Sequence, residues 1–149
     1  MLGIKVKEIQ KVVGKIRASE NRLEVRKIGR ATVIDNTFSS NMAGFEKMID
    51  SFEKLKGKKV LVTPGIVELG KESSSVHQIL GKKAAEVFDE IILVGESNRT
   101  RSLQVGIGRC KKKTKMWFLE DFANYWATVE KLGKKYDWIV LENDLPENY

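Results

Sequence analysis

Long hydrophobic runs are missing from this sequence. Its apolar stretches, such as Val60-Leu61-Val62 and Ile91-Ile92-Leu93-Val94, are the size of strands and far too short to cross a bilayer. The N-terminus, Met1-Leu2-Gly3-Ile4-Lys5, has no apolar signal core and no small-residue cleavage site. One cysteine, Cys110, allows no disulfide within the chain, which suits a reducing cytoplasm. Low-complexity tracts and internal repeats are absent as well. With no secretory signal, the acceptor-like triplet Asn98-Arg99-Thr100 is a chance match to a glycosylation site.

What is present suffices for one folded domain. The chain has 149 residues, 42% of them hydrophobic, enough for a single packed core. Its formal net charge is +7, which invites anionic partners such as nucleotides or nucleic acid. Many lysines stand beside acids on helix-like faces, as in Glu46-Lys47, Glu53-Lys54 and Glu130-Lys131. That arrangement makes a solvated surface the plainer explanation of the charge.

The spacing of apolar residues sets out the elements. Ile4, Ile9, Val12, Val13 and Ile16 mark an amphipathic helix, and residues 17–21 a polar linker. Leu23, Val25 and Ile28, the turn Gly29-Arg30 and the run Ala31 to Ile34 predict a β-hairpin. Met42, Phe45, Met48, Ile49, Phe52 and Leu55 then predict a helix, with Ser40 or Asn41 as its N-cap. Strands are expected at Lys59 to Thr63, Ile91 to Val94, Lys115 to Leu119 and Trp138 to Leu141. Between them, helices are expected at Glu72 to Val87, Thr100 to Arg109 and Phe122 to Leu132. Val76, Ile79, Leu80, Ala84 and Val87 would face inward, and Trp117, Trp126 and Trp138 would lie on core faces.

Strands alternating with helices indicate parallel βαβ units. The fold class is therefore α/β: a β-hairpin followed by a Rossmann-like three-layer sandwich with a mainly parallel sheet. In such sheets ligands bind at the carboxyl ends of the strands. That directs attention to Asp35 to Asn41, Pro64 to Lys71, Gly95 to Asn98 and Glu142 to Asp144.

One of these loops imitates a nucleotide site. Gly65 to Lys71 has the spacing G-x-x-x-x-G-K after a strand and before a helix. A working phosphate loop needs Ser or Thr next, to hold Mg²⁺, and the chain has Glu72. Glu68 would also stand against the triphosphate, and Ile66, Val67 and Leu69 are too bulky to curl around it.

From Asn21 onward the order of motifs resembles the C-terminal domain of the Mur ligases. Arg22-Leu23-Glu24-Val25 resembles the family's H-R-L-E opening, with Asn21 in the histidine position. Val33 to Met42 resembles V-I-D-D-x-Y-N-x-N-P, with Phe38 for tyrosine, Ser39 for asparagine and Met42 for proline. Val67-Glu68-Leu69-Gly70, Glu72-Ser73 and His77 resemble the M-x-E-L-G…S…H segment, and Gly81 and Ala84-Ala85 continue its helix. Residues 2–16 resemble the last helix of the preceding ATP-binding domain. The family's lysine-glycine-serine ending is replaced by Glu142 to Tyr149. Within the family, the motifs lie nearest to the members that add D-alanyl-D-alanine.

The resemblance implies a division at residue 20. Residues 1–20 would be a remnant helix and linker from the ATP-binding domain, and residues 21–149 the acceptor-binding lid domain. The complete enzyme would join an amino acid or D-alanyl-D-alanine to a UDP-N-acetylmuramoyl peptide by an acyl phosphate, in the cytoplasm. ATP and Mg²⁺ would be held mainly by the missing central domain, and the UDP-linked precursor by a missing N-terminal one. By position, Arg22, Asp35 and Asn41 would contact nucleotide, and Glu68 and His77 would lie toward the acceptor. No catalytic residue and no metal ligand is expected in this chain, nor any membrane contact.

Plainer roles stand beside each of these. Arg22 could pair with Glu24, Asp35 could close a turn, and Asn41 could only cap a helix. His77, the one histidine, could be a structural hydrogen-bonder within its helix. The alternative function is a basic nucleic-acid-binding module, supported by the cluster Arg109 to Lys113 with Lys115, or a non-catalytic partner-binding module.

Overall fold

The structure, a computed structural model, describes residues 24–37, 41–120 and 125–143. Strands β1 (Glu24–Ile28) and β2 (Ala31–Asn36) pair antiparallel about the Gly29-Arg30 turn, with Glu24 opposite Asp35 and Ile28 opposite Ala31. This is the expected hairpin. Helix α1 (Met42–Glu53), β3 (Lys59–Thr63), a 3₁₀ turn (Gly70–Glu72) and α2 (Ser73–Val87) follow. The chain continues through β4 (Glu90–Val94), α3 (Asn98–Gly108), β5 (Lys115–Leu119), α4 (Tyr125–Gly133) and β6 (Trp138–Glu142). The expected helix over residues 4–16 lies outside the described residues, as do Arg22, Leu23 and Phe122.

The six strands form one sheet in the order β1-β2-β6-β3-β4-β5. Every pair beyond the hairpin is parallel. The last strand thus enters between the second and third. The carboxyl ends of β2, β6, β3, β4 and β5 consequently share one edge.

Periodicity decides which face each residue takes. On β2, Ala31, Val33 and Asp35 are buried and alternate with half-buried Thr32, Ile34 and Asn36. Helices α1, α2 and α3 cover one face, where Phe45, Ile49, Leu80, Leu103 and Phe88 pack on Leu61, Ile91, Leu93 and Val140. Helix α4 covers the other, where Tyr125, Val129 and Leu132 pack on Val33, Val62, Ile92 and Leu141. The central strands are buried on both sides, which is why β4 reads as the unbroken apolar run Ile91 to Val94.

Two glycines bring α2 and α3 together. A Cβ at Gly81 would lie 2.3 Å from the Leu103 carbonyl oxygen, and one at Gly106 would lie 2.1 Å from that of Gln78. No side chain fits either space, so the helix backbones touch directly.

Three inward assignments do not hold. Ile79 is 51% exposed, because α2 buries the stripe Val76, His77, Leu80, Gly81, Ala84 and Ala85 between α1 and α3, and Ile79 falls outside it. Trp117 and Trp126 are 37% and 38% exposed. Their amphipathic rings rest at the rim, Trp117 donating its indole N–H to Glu90 at 2.7 Å. Trp138 does pack inward, edge-on to Phe52 with ring centroids 5.9 Å apart. Helix boundaries also move: α2 starts at Ser73 after the 3₁₀ turn, and α3 starts at Asn98. Ser97 caps α3 reciprocally with Thr100, forming a capping box.

Candidate functional site

The polar groups of the sheet gather at its carboxyl edge. Asp35 is 3% exposed and faces the α4 side. Its Oδ1 accepts from the Thr37 hydroxyl at 2.8 Å and from the Thr37 N–H at 3.3 Å, an Asx turn that closes β2. Its Oδ2 accepts from the guanidinium of Arg26, which reaches across the hairpin. The same guanidinium lies 4.6 Å from the ring centre of Trp126. A contact with nucleotide, which the resemblance implies for Asp35, would need its carboxylate within reach of solvent. The even spacing of Val33 and Asp35 instead carries it to the buried face of β2, and Arg26, two strand positions from Glu24, meets it there. Arg26 was missed in the sequence. The signal was available in the hairpin register, which places Arg26 on the same face as Asp35.

On the opposite face of β2, Asn36 donates its amide to both oxygens of Glu142, at 2.9 and 3.0 Å. Glu142 is fully buried at the end of β6, directly beside Asn36 in register. The next residue, Asn143, has a left-handed backbone (φ 67°) and is 1% exposed, and neither atom of its side-chain amide has a protein partner. Asn41 caps α1, its side-chain oxygen accepting from the Gly44 N–H at 2.9 Å.

The β3 loop is held from within. The Gly65 N–H donates to the Thr63 hydroxyl at 3.1 Å, and the Ile66 N–H donates to Nε2 of His77 at 2.9 Å. His77 is completely buried, and its Nδ1 lies 2.5 Å from the Ser73 carbonyl oxygen and 3.2 Å from the Ser73 hydroxyl. Burial pushes the imidazole below its ordinary pKa; the Ser73 carbonyl opposes that, and the nearby Arg99 charge adds to it. Glu68 is exposed at the tip of this loop, with φ 64°. Among the described residues, Glu68 and Asn143 are the non-glycine residues with positive φ. Both follow neighbouring strands at the same edge, where backbone strain commonly accompanies function.

The loop from Gly65 to Lys71 is therefore no phosphate cradle. Two of its amides are already bonded inside the protein, and the helix begins beyond Glu72 rather than at the lysine. Among the described residues no cluster of His, Cys, Asp or Glu could hold a metal ion, and no helix is long and apolar enough to cross a membrane. The basic run Arg109 to Lys113 lies between α3 and β5, at the amino edge of the sheet and away from this polar edge.

Comparison with known proteins agrees with this architecture. A family model described as "Mur ligase, glutamate ligase domain" matches residues 21–142. The chain belongs to the Mur ligase family and corresponds to its C-terminal domain. The relatives it matches are named UDP-N-acetylmuramoyl-tripeptide–D-alanyl-D-alanine ligase. The protein of that name from Escherichia coli is 25% identical over 118 residues, which are 78% of this chain and 22% of that protein. The one from Buchnera aphidicola subsp. Acyrthosiphon pisum is 34% identical over 65 residues, 43% of this chain and 14% of that protein. The chain thus spans less than a quarter of the length of either. Among solved structures, the fold is shared with MurF from Acinetobacter baumannii (TM-score 0.70, 23% identity, 95% of this chain and 31% of that one). It is shared also with MurF ligase from Thermotoga maritima in complex with ADP (TM-score 0.69, 19% identity, 91% of this chain and 32% of that one).

Proposed function

We propose that this chain is the acceptor-binding lid domain of an ATP-dependent ligase of peptidoglycan precursor synthesis. The complete enzyme would add D-alanyl-D-alanine, or a single amino acid, to a UDP-N-acetylmuramoyl peptide in the cytoplasm. The observation that carries this is the family match across residues 21–142. The polar carboxyl edge supports it, because ligands of open α/β sheets bind there. Residues 1–20 would then belong to the preceding ATP-binding domain, and residues 21–149 would form the lid.

In this reading Arg22, Asp35 and Asn41 lie toward the nucleotide, and Glu68 and His77 toward the acceptor. The arrangement around Asp35 limits how it can act. Its carboxylate is buried and already bonded to Arg26 and Thr37, so a ribose hydroxyl would have to share it. ATP would supply the phosphoryl group that activates the carboxylate substrate, and the central domain would hold it together with Mg²⁺. The residues of this chain would orient the acceptor and exclude water on closure.

The test is a ligation assay on the complete polypeptide that carries this domain, with ATP, UDP-N-acetylmuramoyl tripeptide and a panel of amino acids and dipeptides. D-alanyl-D-alanine should be the best acceptor. Arg22→Ala should lower turnover on the order of 100-fold, as expected for a lost charge contact to a phosphoryl transition state. Near-normal turnover in that variant would refute the nucleotide-side assignment.

A further inference from the structure

We propose that His77 is a positioning residue: a neutral imidazole with its proton on Nδ1, which holds the β3 loop through the Ile66 N–H and so presents Glu68. The bonding pattern assigns the tautomer. An N–H cannot accept, so the Ile66 N–H requires a lone pair on Nε2. Nδ1 then carries the proton and donates it to the Ser73 carbonyl oxygen, 2.5 Å away. Both nitrogens are engaged and the ring is fully buried, so His77 has no free atom with which to touch an acceptor.

The ring joins two elements. Ser73 and His77 form the first turns of α2, and Ile66 lies in the loop that leaves β3. Gly65 passes so close that a Cβ there would lie 2.7 Å from Nε2, and its φ of 83° is one that a side chain would strain. Ile66 is anchored in the core at 2% exposure. The segment after it therefore begins from a fixed point. Two residues later Glu68 turns outward through a left-handed backbone that a free loop would leave for a commoner one. An exposed carboxylate on a fixed backbone suits a cationic amine, the form in which an amino acid or dipeptide arrives.

The groups facing the ring set the response to pH. The Ile66 N–H on the loop requires a lone pair on Nε2 and Arg99 on α3 sets a positive charge nearby, both favouring the neutral ring, while the Ser73 carbonyl on α2, beside its own hydroxyl, accepts from Nδ1 and opposes them. Protonating Nε2 would place two donors face to face and release the loop. That the loop serves an acceptor rests on the ligase reading; the brace itself does not.

The two parts are tested separately. In the purified 149-residue chain, nitrogen NMR should show His77 protonated on Nδ1 and unprotonated on Nε2, with titration below the ordinary histidine range. A proton on Nε2, or ordinary titration, overturns the brace. Amide exchange at Ile66 should quicken about tenfold or more in His77→Leu, while Leu61 and Ile92 keep their protection. His77→Gln, whose side-chain oxygen can accept from the Ile66 N–H, should restore slow exchange. Should His77→Leu fail to fold, the wild-type tautomer and the glutamine variant decide: fast Ile66 exchange in His77→Gln with an intact core overturns the brace.

In the complete enzyme, KM for the acceptor should rise about tenfold in His77→Leu with KM for ATP unchanged, and should recover in His77→Gln. A change confined to kcat or to KM for ATP overturns the acceptor assignment and leaves the brace standing. If the wild-type enzyme ligates none of the acceptors, the ligase reading fails on its own, whatever the NMR shows.

Discussion

Arg26 and Asp35 stand against each other across the hairpin, the guanidinium held between the carboxylate and the indole of Trp126. Asp35 is 4% exposed in its side chain and Arg26 is 35% exposed, so the carboxylate depends on the pairing more than the cation does. Arg26→Met keeps an apolar stem against Trp126 and removes the donor. Urea unfolding should show a loss of about 1–3 kcal/mol, the range for a charge-assisted hydrogen bond with a buried partner. In a double-mutant cycle with Asp35→Asn the effects should be strongly non-additive. Simple additivity would mean the two groups do not act together.

Glu90 gives the fold a sensitivity to acid. Burial alone would raise its pKa, but hydrogen bonds from Tyr136, Trp117 and Lys135 outweigh that and hold it below the ordinary value of 4.5. A carboxylate with a depressed folded pKa stabilises fully above its unfolded value. That contribution is lost as pH falls through the folded one. Wild type should therefore lose stability relative to Glu90→Gln as pH falls below about 4.5. Parallel pH profiles for the two proteins would contradict the assignment.

The contact of α2 with α3 predicts an inverted propensity effect. Alanine is normally about 1 kcal/mol better than glycine inside a helix. Gly106→Ala should nevertheless destabilise by about 1–3 kcal/mol, because its methyl group would meet the Gln78 carbonyl oxygen 2.1 Å away. Gly108→Ala, where a Cβ meets nothing within 4 Å, is the control and should be neutral or better. Thermal melts of both variants decide the matter, and equal melting temperatures would refute the close approach.

The chain by itself should neither hydrolyse ATP nor form an amide bond. The amides of Gly65 and Ile66 are spent inside the protein, so the loop cannot wrap a phosphate. Calorimetric titration with ATP-Mg²⁺ should give a dissociation constant on the order of millimolar or weaker. Phosphate release should stay at background. Micromolar binding, or turnover abolished by Lys71→Ala, would show a working phosphate loop.

The hairpin, the alternation of strands and helices and the mainly parallel sheet were all legible in the sequence. Each follows from local periodicity and turn residues, and Gly29-Arg30, the stripe on α1 and the unbroken run in β4 are local signals. The gathering of loops at the carboxyl edge was legible for a related reason, since parallel strands put their carboxyl ends together. Only the tertiary structure could decide that β6 enters between β2 and β3, because strand order depends on pairings between residues far apart in the chain. That pairing brings Glu142 beside Asn36 and leaves Asn143 buried beyond it. The burial of Asp35 beneath Arg26 and of His77 beneath the β3 loop was decided in the same way. A charged or titratable residue declares its chemistry in the sequence, but its partners are set by whichever distant elements pack against it.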